Sequence, residues 1–385
     1  MIPYGFHDIQ PEDTEAVLSV LRSDWLTQGP WIPKFEQAVA ECCGAAHAVA
    51  VNSATSALHI ACLALDLGPG DWLWTSPNTF VASANCGIYC GAQVDFVDID
   101  PRTYNLSVES LAEKLSQAER QGCLPKVVIP VHFAGQACEM VRIRKLADQY
   151  GFRIIEDASH AIGARHLGES VGNCRYSDIT IFSFHPVKII TTGEGGVATT
   201  NDAELAARMQ RLRCHGITRE PGLMQWEPHG PWYYQQIELG YNYRMTDMQA
   251  ALGYSQLQRL DRYVLQRHQL KDRYDIQLSE LPVIIPSQHP DSYSSLHLYP
   301  IQIINSHGRP DRLTVFQALK TAGIGVNVHY IPVHTQPYYQ RMGFKVGDYP
   351  NAELYYSRAI SLPMFATLSE EGQDLVISAL RGALK

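Results

Sequence analysis

Residues 182–188 read FSFHPVK and residues 191–196 read TTGEGG, a combination that places Lys188 in an unusual chemical setting. An apolar run with strand character, residues 179–184, precedes the lysine, and the glycines behind it let the backbone approach a ligand closely. A lysine that reacts with an aldehyde must lose its proton near neutral pH, and burial lowers its pKa enough for that. Lys188 is therefore a candidate Schiff-base lysine, although an isolated lysine more often closes a strand at the surface.

A second candidate, Asp157, follows the segment FRII at 152–155, which has the pattern of a buried strand. Ligands of open α/β sheets bind at the carboxyl ends of the strands. A carboxylate there can keep a pyridine nitrogen protonated, which turns pyridoxal phosphate (PLP) into an electron sink. Asp157 could also be a helix N-cap. The prediction of a PLP site therefore depends on Asp157 and Lys188 standing at the ends of two successive strands.

A third segment fits a phosphate group. The strand-like AVAV at 48–51 runs into NSATSAL at 52–58, which has the character of a helix start. The hydroxyls of Ser53, Thr55 and Ser56, together with the free amides of a first helical turn, would form an anion site. An ordinary capped helix would have the same pattern, so this segment supports the PLP site only alongside the other two.

Composition limits the class of protein. A chain of 385 residues with 45% hydrophobic content can bury a large core, and we expect two lobes. The net charge of −8 and the lack of a basic run exclude general binding to nucleic acid. The first ten residues lack a signal-peptide pattern and no apolar stretch approaches a membrane span, so the expected compartment is the cytoplasm, with no membrane partner. The nine cysteines lack zinc spacing, and no metal is expected.

Short apolar runs alternate with helical patterns, which predicts an α/β fold with a large, mostly parallel sheet and helices on both faces. The predicted strands lie at 72–76, 94–97, 127–131, 154–156 and 179–184.

We expect a large domain at 1–245 that includes the N-terminal segment, a connecting helix at 246–280 and a smaller C-terminal α+β domain at 281–385. The smaller domain would contain strands at 296–304 and 326–330, a helix at 312–321 and a closing helix from Ser369.

Together these features resemble the DegT/DnrJ/EryC1/StrS family of sugar aminotransferases, which share the aspartate aminotransferase fold. The resemblance runs nearly end to end and is nearest to members that act in pseudaminic acid biosynthesis. It implies PLP-dependent transferase fold type I. The matching segments are LTQGP at 26–30 with FE at 35–36, NSATSAL at 52–58, PNTFVA at 77–82, residues 156–164 and 183–196, HG at 215–216 and GYNYRM at 240–245.

The resemblance implies roles for the residues around a PLP ring. Lys188 would be the Schiff-base lysine and the proton shuttle, and Asp157 would pair with the pyridinium nitrogen. Phe80 would stack on the ring, and His160 would lie near its phenolic oxygen. Many relatives have Gln where this chain has His160, so the proton state of that contact stays open. Phe80 could also be an ordinary core residue.

The resemblance also implies how the phosphate is held. Ser183, Ala54 and Thr55 would bind the cofactor phosphate within one chain. Asn242 would reach the phosphate of the neighbouring subunit, which implies a homodimer with shared active sites. A simple turn role for Asn242 remains the alternative.

The expected substrates are L-glutamate as amino donor and a UDP-linked 4-keto-6-deoxy-N-acetylhexosamine as acceptor, in pseudaminic acid or related amino-sugar biosynthesis. Arg213, Arg219 and Arg244 are candidates for a diphosphate or for the donor's carboxylate, because arginine binds either group with two hydrogen bonds. The residues to which the resemblance points for the sugar nucleotide are Tyr4, Leu26, Thr27, Gln28, Gly29, Val328, His329, Tyr330 and Ile331.

Other functions remain open at this point. One is an aminotransferase for a dTDP-linked or 3-keto sugar, and another is a non-catalytic binding relative, which would have lost Lys188 or Asp157. A PLP-dependent sugar dehydratase of this fold would have His in place of Lys188. An NAD-dependent enzyme would need a glycine-rich fingerprint after the first strand, where this chain has NSAT at 52–55.

Overall fold

The computed structural model describes residues 1–304 and 310–385 and is built around one seven-stranded sheet. Its strand order is β1-β9-β8-β5-β4-β2-β3. Strands β8, β5, β4, β2 and β3 run parallel, and β9 is antiparallel to both of its neighbours. The bounds of the seven strands are β1 His47–Val51, β2 Trp72–Thr75, β3 Gln93–Phe96, β4 Val127–Ile129, β5 Arg153–Asp157, β8 Ile179–Ser183 and β9 Gly196–Thr200.

A separate three-stranded antiparallel sheet lies in the C-terminal part, in the order β12-β14-β15. The remaining strands form a two-stranded antiparallel pair, β10-β11, and a small three-stranded antiparallel sheet in the order β13-β6-β7. The bounds of the strands in these smaller sheets are β6 Arg165–His166, β7 Glu169–Ser170, β10 Ile217–Thr218, β11 Gln235–Gln236, β12 Val283–Ile284, β13 Ser292–Tyr293, β14 Tyr299–Ile303 and β15 Ala359–Leu362.

The helices pack around these sheets, and short 3-10 turns lie at Phe133–Gly135, Pro221–Leu223 and Val333–Thr335. The α-helices are α1 Pro11–Leu21, α2 Trp31–Cys43, α3 Ala54–Ala64, α4 Ala82–Tyr89, α5 Val108–Gln121, α6 Met140–Tyr150, α7 Ala203–Leu212, α8 Asp247–Leu257, α9 Leu260–Leu278, α10 Arg312–Thr321, α11 Pro337–Gln340, α12 Pro350–Arg358 and α13 Glu370–Ala383. Within the described ranges, none of them is both long and apolar enough to cross a membrane.

Strand β1 shows why helices cover both faces of the large sheet. Side chains alternate sides along a strand, and Val49 and Val51 join an apolar cluster that includes residues of α3, α4 and α7. Ala48 and Ala50 point the other way and join a cluster with residues of α2 and α8. Each fully buried valine contributes roughly 1.5–3 kcal/mol to stability. The predicted α/β fold with a mostly parallel sheet is confirmed.

The segment 246–280 contains two helices where the periodic pattern suggested one. Arg259 lies between α8 and α9 with non-helical dihedral angles, φ −112° and ψ 7°. Its guanidinium donates to the buried carboxylate of Asp13 in α1 at 2.5 Å. Apolar residues keep helical spacing on both sides of this break, so spacing alone does not reveal it.

The predicted strand at 326–330 is wrong. Its backbone donors find side-chain acceptors, since Val328 N–H donates to Asn327 Oδ1 at 2.8 Å and Tyr330 N–H donates to Asn78 Oδ1 at 3.3 Å. Only one ladder contact, between Asn327 and Ser361, joins these residues to β15 in the described chain. The segment is therefore irregular, and residues 327–330 line a cavity that is described below.

The chain's first residues lie against the C-terminal core rather than the large sheet. Ile2 N–H donates to the carbonyl of Gly323 at 2.9 Å, and Met364 N–H donates to the carbonyl of Tyr4 at 3.0 Å. Ile2 also packs on the cluster formed by α10, α13 and the three-stranded sheet. These contacts bring Tyr4 close to the irregular segment at 326–330, and the Tyr4 ring lies 5.5 Å from the ring of His329.

Candidate active site

A cavity of about 550 Å³ lies at the carboxyl ends of β5 and β8 and beside the first turn of α3. Parallel strands end at one edge of the sheet, so side chains that follow them in sequence meet there. Twelve of the residues predicted for cofactor or substrate line this cavity. They are Tyr4, Ser53, Ala54, Thr55, Phe80, Asp157, His160, Ser183, Lys188, Val328, His329 and Tyr330.

Lys188 extends from the turn after β8 into this cavity. Burial lowers the pKa of Lys188 to about 8, against the opposing influence of the Asp157 carboxylate. No hydrogen bond or ion pair engages its amine within residues 1–304 and 310–385. A partly buried amine with a lowered pKa can act as a nucleophile or a base near neutral pH.

Asp157 is the last residue of β5 and is 5% exposed. Its Oδ2 accepts a hydrogen bond from the hydroxyl of Ser83 at 2.6 Å, and its Oδ1 accepts one from Ser159 N–H at 3.0 Å. No helix follows β5 directly, so the alternative role of a helix N-cap does not apply. The carboxylate is held in place at the edge of the cavity and keeps lone pairs free for a ligand.

The first turn of α3 forms another part of the cavity wall. Ser53 is the N-cap, and its Oγ accepts a hydrogen bond from Ser56 N–H at 3.1 Å. The N–H groups at the start of a helix have no intrahelical partner, and here Ala54 and Thr55 occupy those positions. Ser183, the last residue of β8, lines the same cavity. Free amides and hydroxyls at a helix N-terminus make an anion site.

Phe80 is 59% exposed although it is a large apolar side chain. It lines the cavity, and its ring centroid lies 6.4 Å from that of Tyr330. The alternative of an ordinary core residue is therefore wrong. An aromatic ring presented to a cavity in this way can stack on a planar ligand.

His160 is fixed in one neutral tautomer by its neighbours. Burial lowers the pKa of His160 well below its usual range, and the positive charge of Lys188 acts in the same direction. Nδ1 accepts a hydrogen bond from Ala134 N–H at 3.3 Å, so the ring proton is on Nε2. Nε2 then donates to the hydroxyl of Tyr330 at 3.0 Å. Because Tyr330 accepts this bond, its own proton remains available to a ligand.

Two polar side chains hold His329 in place. Its Nδ1 lies 2.8 Å from the hydroxyl of Ser361, and Nε2 lies 3.4 Å from Nδ2 of Asn327. Burial lowers the pKa of His329 to about 3, and Lys188 adds to the effect. His329 is therefore neutral at physiological pH and contributes polar contacts without charge.

Several predicted residues do not line this cavity. Ile331 and Leu26 are close to half exposed, and Asn242 pairs with Cys214 in an isolated bridge. Gln28 and Gly29 line a second cleft of about 360 Å³ together with Arg213 and Arg244. Thr27 forms an isolated bridge with Thr246 at the start of α8. A single chain therefore does not bring Leu26, Thr27, Gln28, Gly29, Asn242 or Ile331 to the cavity that contains Lys188.

The three candidate arginines differ in what they contact. Arg213 is paired with Glu36 and donates to the carbonyl of Ala50 at 2.7 Å, which gives it a structural role. Arg244 and Arg219 make no ion pair with any residue in the described ranges. They are therefore the better candidates for an anionic ligand.

Sequence reasoning missed several residues of the cavity wall, chiefly Thr79, Glu194, His297 and Asn327. His297 packs on His160 with ring centroids 4.4 Å apart, and its Nδ1 is buried without a hydrogen-bond partner in the described chain. Its position just before β14 gives no local signal of function. Thr79 and Glu194 lie inside segments that the family resemblance had already marked.

The set of groups around this cavity fits PLP. An amine with a lowered pKa, a fixed carboxylate, an exposed aromatic ring and a helix N-terminus match the aldehyde, ring nitrogen, ring face and phosphate of that cofactor. No other cavity described for residues 1–304 and 310–385 combines these four groups.

Known proteins resemble this chain over its full length. A sequence profile of the DegT/DnrJ/EryC1/StrS aminotransferase family matches residues 7–381. The spore coat polysaccharide biosynthesis protein SpsC of Bacillus subtilis is 40% identical, with 100% of this chain and 97% of SpsC aligned. The UDP-4-amino-4,6-dideoxy-N-acetyl-beta-L-altrosamine transaminase of Campylobacter jejuni is 36% identical, with 100% of this chain and 98% of that protein aligned. Among solved structures, Spr1654 of Streptococcus pneumoniae in its PMP form superposes with a TM-score of 0.90 at 30% identity, covering 100% of this chain and 99% of that one.

Proposed function

This chain belongs to the DegT/DnrJ/EryC1/StrS aminotransferase family, and we propose that it transfers the amino group of L-glutamate to a UDP-linked 4-keto-6-deoxy-N-acetylhexosamine. The expected family, the PLP-dependent fold type I and the aminotransferase activity are confirmed. The chain is a sugar aminotransferase, and its cofactor is PLP. The sugar, the nucleotide and the donor are the proposed part.

One observation carries the assignment of roles within the site. Lys188 and Asp157 line the same cavity from the ends of neighbouring strands, and the partly buried amine has a pKa of about 8. These are the two side chains that PLP chemistry needs at opposite ends of its ring. A relative without activity would be expected to lack one of them.

We propose that four groups hold the cofactor. Asp157 pairs with the ring nitrogen, and Phe80 stacks on the ring. The first turn of α3, with Thr55, and the hydroxyl of Ser183 bind the phosphate. When bound, PLP withdraws electrons from the carbon atom next to the reacting nitrogen, which lets that carbon lose a proton.

Lys188 would then perform the proton transfers. Its neutral amine would move a proton between the α-carbon of the donor amino acid and the cofactor, and it would move a proton in the opposite direction when the keto sugar is the acceptor. Asp157 would keep the ring nitrogen protonated both in the reaction with the amino donor and in the reaction with the keto sugar. His160 and Tyr330 form one wall, where the free hydroxyl proton of Tyr330 can bind an acceptor oxygen of the substrate. Because Asp157 is buried, water has little access to its carboxylate.

The name of the Campylobacter jejuni relative supports a UDP-linked 4-amino-4,6-dideoxy product. The higher identity to SpsC favours a second candidate substrate, another keto sugar nucleotide that supplies a surface polysaccharide. The irregular segment at 326–330, with Tyr4 beside it, offers aromatic and amide groups that suit a sugar in either case.

We further propose a homodimer in which the partner chain completes each site. Leu26 to Gly29 and Asn242 lie outside the cavity of their own chain, and Arg244 lies in the second cleft without an ion pair among the described residues. These surface positions suit contact with a ligand bound to the other copy. Sedimentation of the purified protein should give the mass of two chains.

Absorbance of the purified protein tests the proposed reaction. L-glutamate should change the cofactor's absorbance band, and one member of a panel of UDP- and dTDP-linked 4-keto and 3-keto sugars should restore it. Restoration by the UDP-linked 4-keto-6-deoxy-N-acetylhexosamine alone supports the proposal. Restoration only by a dTDP-linked or 3-keto sugar would reject the proposed acceptor while leaving the aminotransferase assignment intact.

A further inference from the structure

A buried pair of hydroxyl groups stands behind the carboxylate of Asp157. Ser83 lies in the first turn of α4 and is 0% exposed. Its Oγ is 2.6 Å from Asp157 Oδ2, and the hydroxyl of Thr79, one turn earlier, is 2.8 Å from the same Oγ. Ser83 does not line the cavity, so it has no direct contact with a ligand there.

Counting the available protons shows which group donates in each of these hydrogen bonds. An ionised carboxylate accepts hydrogen bonds only, so Ser83 must donate to Asp157. A hydroxyl has one proton, and Ser83 has used it, so Thr79 must donate to Ser83. With Ser159 N–H on Oδ1 at 3.0 Å, each carboxylate oxygen has one fixed donor. These two donors hold the carboxylate in a single orientation.

The same short segment also sets the position of Phe80. Thr79, Phe80 and Ser83 lie within five residues at the entrance to α4, and the hydroxyl of Thr79 lies at hydrogen-bond distance from that of Ser83 across this turn. The turn therefore places an exposed aromatic ring in the cavity and, at the same time, fixes the carboxylate from behind. A change in the Ser83 hydroxyl should affect the cofactor through Asp157.

We propose that Ser83 is a positioning residue that orients the Asp157 carboxylate toward the ring nitrogen of PLP, with Thr79 fixing the hydroxyl of Ser83. This inference rests on the role proposed above for Asp157. It assigns a function to a fully buried serine that does not line the cavity.

A double-mutant cycle on cofactor affinity tests it. Ser83→Ala should weaken the binding of PLP to the apoprotein about tenfold, which corresponds to about 1.4 kcal/mol and is close to the value of one hydrogen bond to a charged group. In an Asp157→Asn background the same change should cost less than about twofold, because the residue acts only through the carboxylate. An equal loss of PLP affinity in the wild-type and Asp157→Asn backgrounds would overturn the inference, and so would no loss in the wild-type background.

A matched control is available far from the site. Ser255 in α8 is also buried, and its hydroxyl donates to the carboxylate of Asp13 at 2.6 Å. Ser255→Ala removes the same kind of hydrogen bond and should lower thermal stability without changing the dissociation constant for PLP. A loss of cofactor affinity equal to that of Ser83→Ala would show a general structural effect and reject the specific role.

Two further measurements keep the test decisive. If Ser83→Ala does not fold, Ser83→Cys replaces the hydroxyl with a slightly larger thiol that donates only weakly. This variant should show a smaller loss of PLP affinity in the same direction, and an unchanged affinity would overturn the inference. If Asp157→Asn itself binds PLP as tightly as the wild type, the proposed role of Asp157 and this inference both fail. A wild type that binds PLP but accepts none of the tested sugars rejects only the proposed substrate.

Discussion

Lys188 shows how the surroundings of one side chain set its chemistry. A lysine in water has a pKa near 10.4 and is almost fully charged at neutral pH. Burial beside the cavity lowers the pKa of Lys188 to about 8, even though the Asp157 carboxylate opposes the shift. The neutral, reactive form of the amine is thus a substantial fraction of the population close to physiological pH.

The pH dependence of cofactor capture follows from that shift. Only the neutral amine attacks an aldehyde, so the rate at which the apoprotein captures PLP should rise with pH and level off above about pH 8. Below that value the rate should fall about tenfold for each pH unit. The change in absorbance after mixing measures the rate, and Lys188→Arg serves as the inactive control. A midpoint near pH 10 would contradict the effect of burial.

A second residue-scale prediction concerns Tyr330. Its hydroxyl accepts a hydrogen bond from His160 Nε2 at 3.0 Å, which leaves its own proton free to bind a ligand. Tyr330→Phe should lower kcat/KM for the sugar about five- to tenfold, the factor expected for one hydrogen bond of about 1–1.5 kcal/mol. Steady-state kinetics measures this, with Tyr338→Phe at an exposed position as control. Unchanged kinetics in Tyr330→Phe would reject a contact with the substrate.

At the same scale, the sequence pointed to two residues with a recognisable local pattern, and both line the cavity. Asp157 ends an apolar strand and Lys188 lies in the turn after another, and the carboxyl end of a strand has a known place in the fold. Ser83 and His297 depend on contacts with residues 74 and 137 positions away, Asp157 and His160. No spacing rule relates such distant residues, so these contacts were visible only in the folded chain.

At the scale of elements, the contact between β9 and α3 is unusually close. A Cβ at Gly196 would lie 2.5 Å from the backbone N of Ala54 and 2.6 Å from the carbonyl oxygen of Ser53. Those atoms belong to the start of α3, which we propose as the phosphate site. Backbone cannot move aside as a flexible side chain can, so only glycine permits this approach.

Gly196→Ala should therefore separate β9 from α3 and lower both the stability of the protein and its affinity for PLP. Overpacking typically costs about 1–3 kcal/mol of stability, and displacement of the helix start should weaken PLP binding. Thermal unfolding and a PLP titration measure the two effects. Gly68→Ala is the control, because nothing lies within 4 Å of a Cβ at that position. Normal PLP affinity in Gly196→Ala would argue against a phosphate site at the start of α3.

Elements with strong local patterns were predictable, and those defined by distant partners were not. The predicted helix at 312–321 agrees with α10, whose Asp311 N-cap bonds Thr314 N–H at 2.8 Å. Strand β15 escaped prediction because its four residues pair with β14, about sixty positions away. The segment at 326–330 has the composition of a strand, but side chains satisfy its backbone donors.

At the scale of the whole molecule, helix α9 joins two apolar cores. Leu260 and Val264 pack in the cluster beneath the large sheet, whereas Leu270 and Tyr274 pack in the C-terminal cluster. This arrangement agrees with the role expected of a connecting segment, although the domain boundaries themselves stay a prediction. Length and composition predicted two lobes, but they could not predict which side chain links α9 to the C-terminal part of the chain.

Arg267 is that side chain, and it lies in α9 between these two pairs of apolar residues. It is 2% exposed, and its Nη1 donates to the carbonyls of Leu296, His297 and Met364 at 3.1, 3.3 and 2.8 Å. Burial lowers the pKa of Arg267 to about 10, so it stays charged at neutral pH. Its charge also contributes to the lowered pKa of His297, after burial, His160 and Lys188. One buried cation thus ties α9 to the backbone of a residue that lines the active-site cavity.

Arg267→Met should therefore affect stability and substrate binding together. Loss of the donor leaves buried carbonyls unpaired, which costs about 1–3 kcal/mol, and removal of a buried charge offsets part of that cost. The thermal midpoint should fall, and KM for the sugar should rise as the backbone of His297 shifts. Arg273→Met on the same helix is the control, since it removes a half-exposed ion pair with Asp374 that contributes at most about 1 kcal/mol. If Arg267→Met keeps the wild-type KM while its midpoint falls, Arg267 stabilises the fold without positioning His297, and coupling between the C-terminal core and the cavity must depend on other contacts.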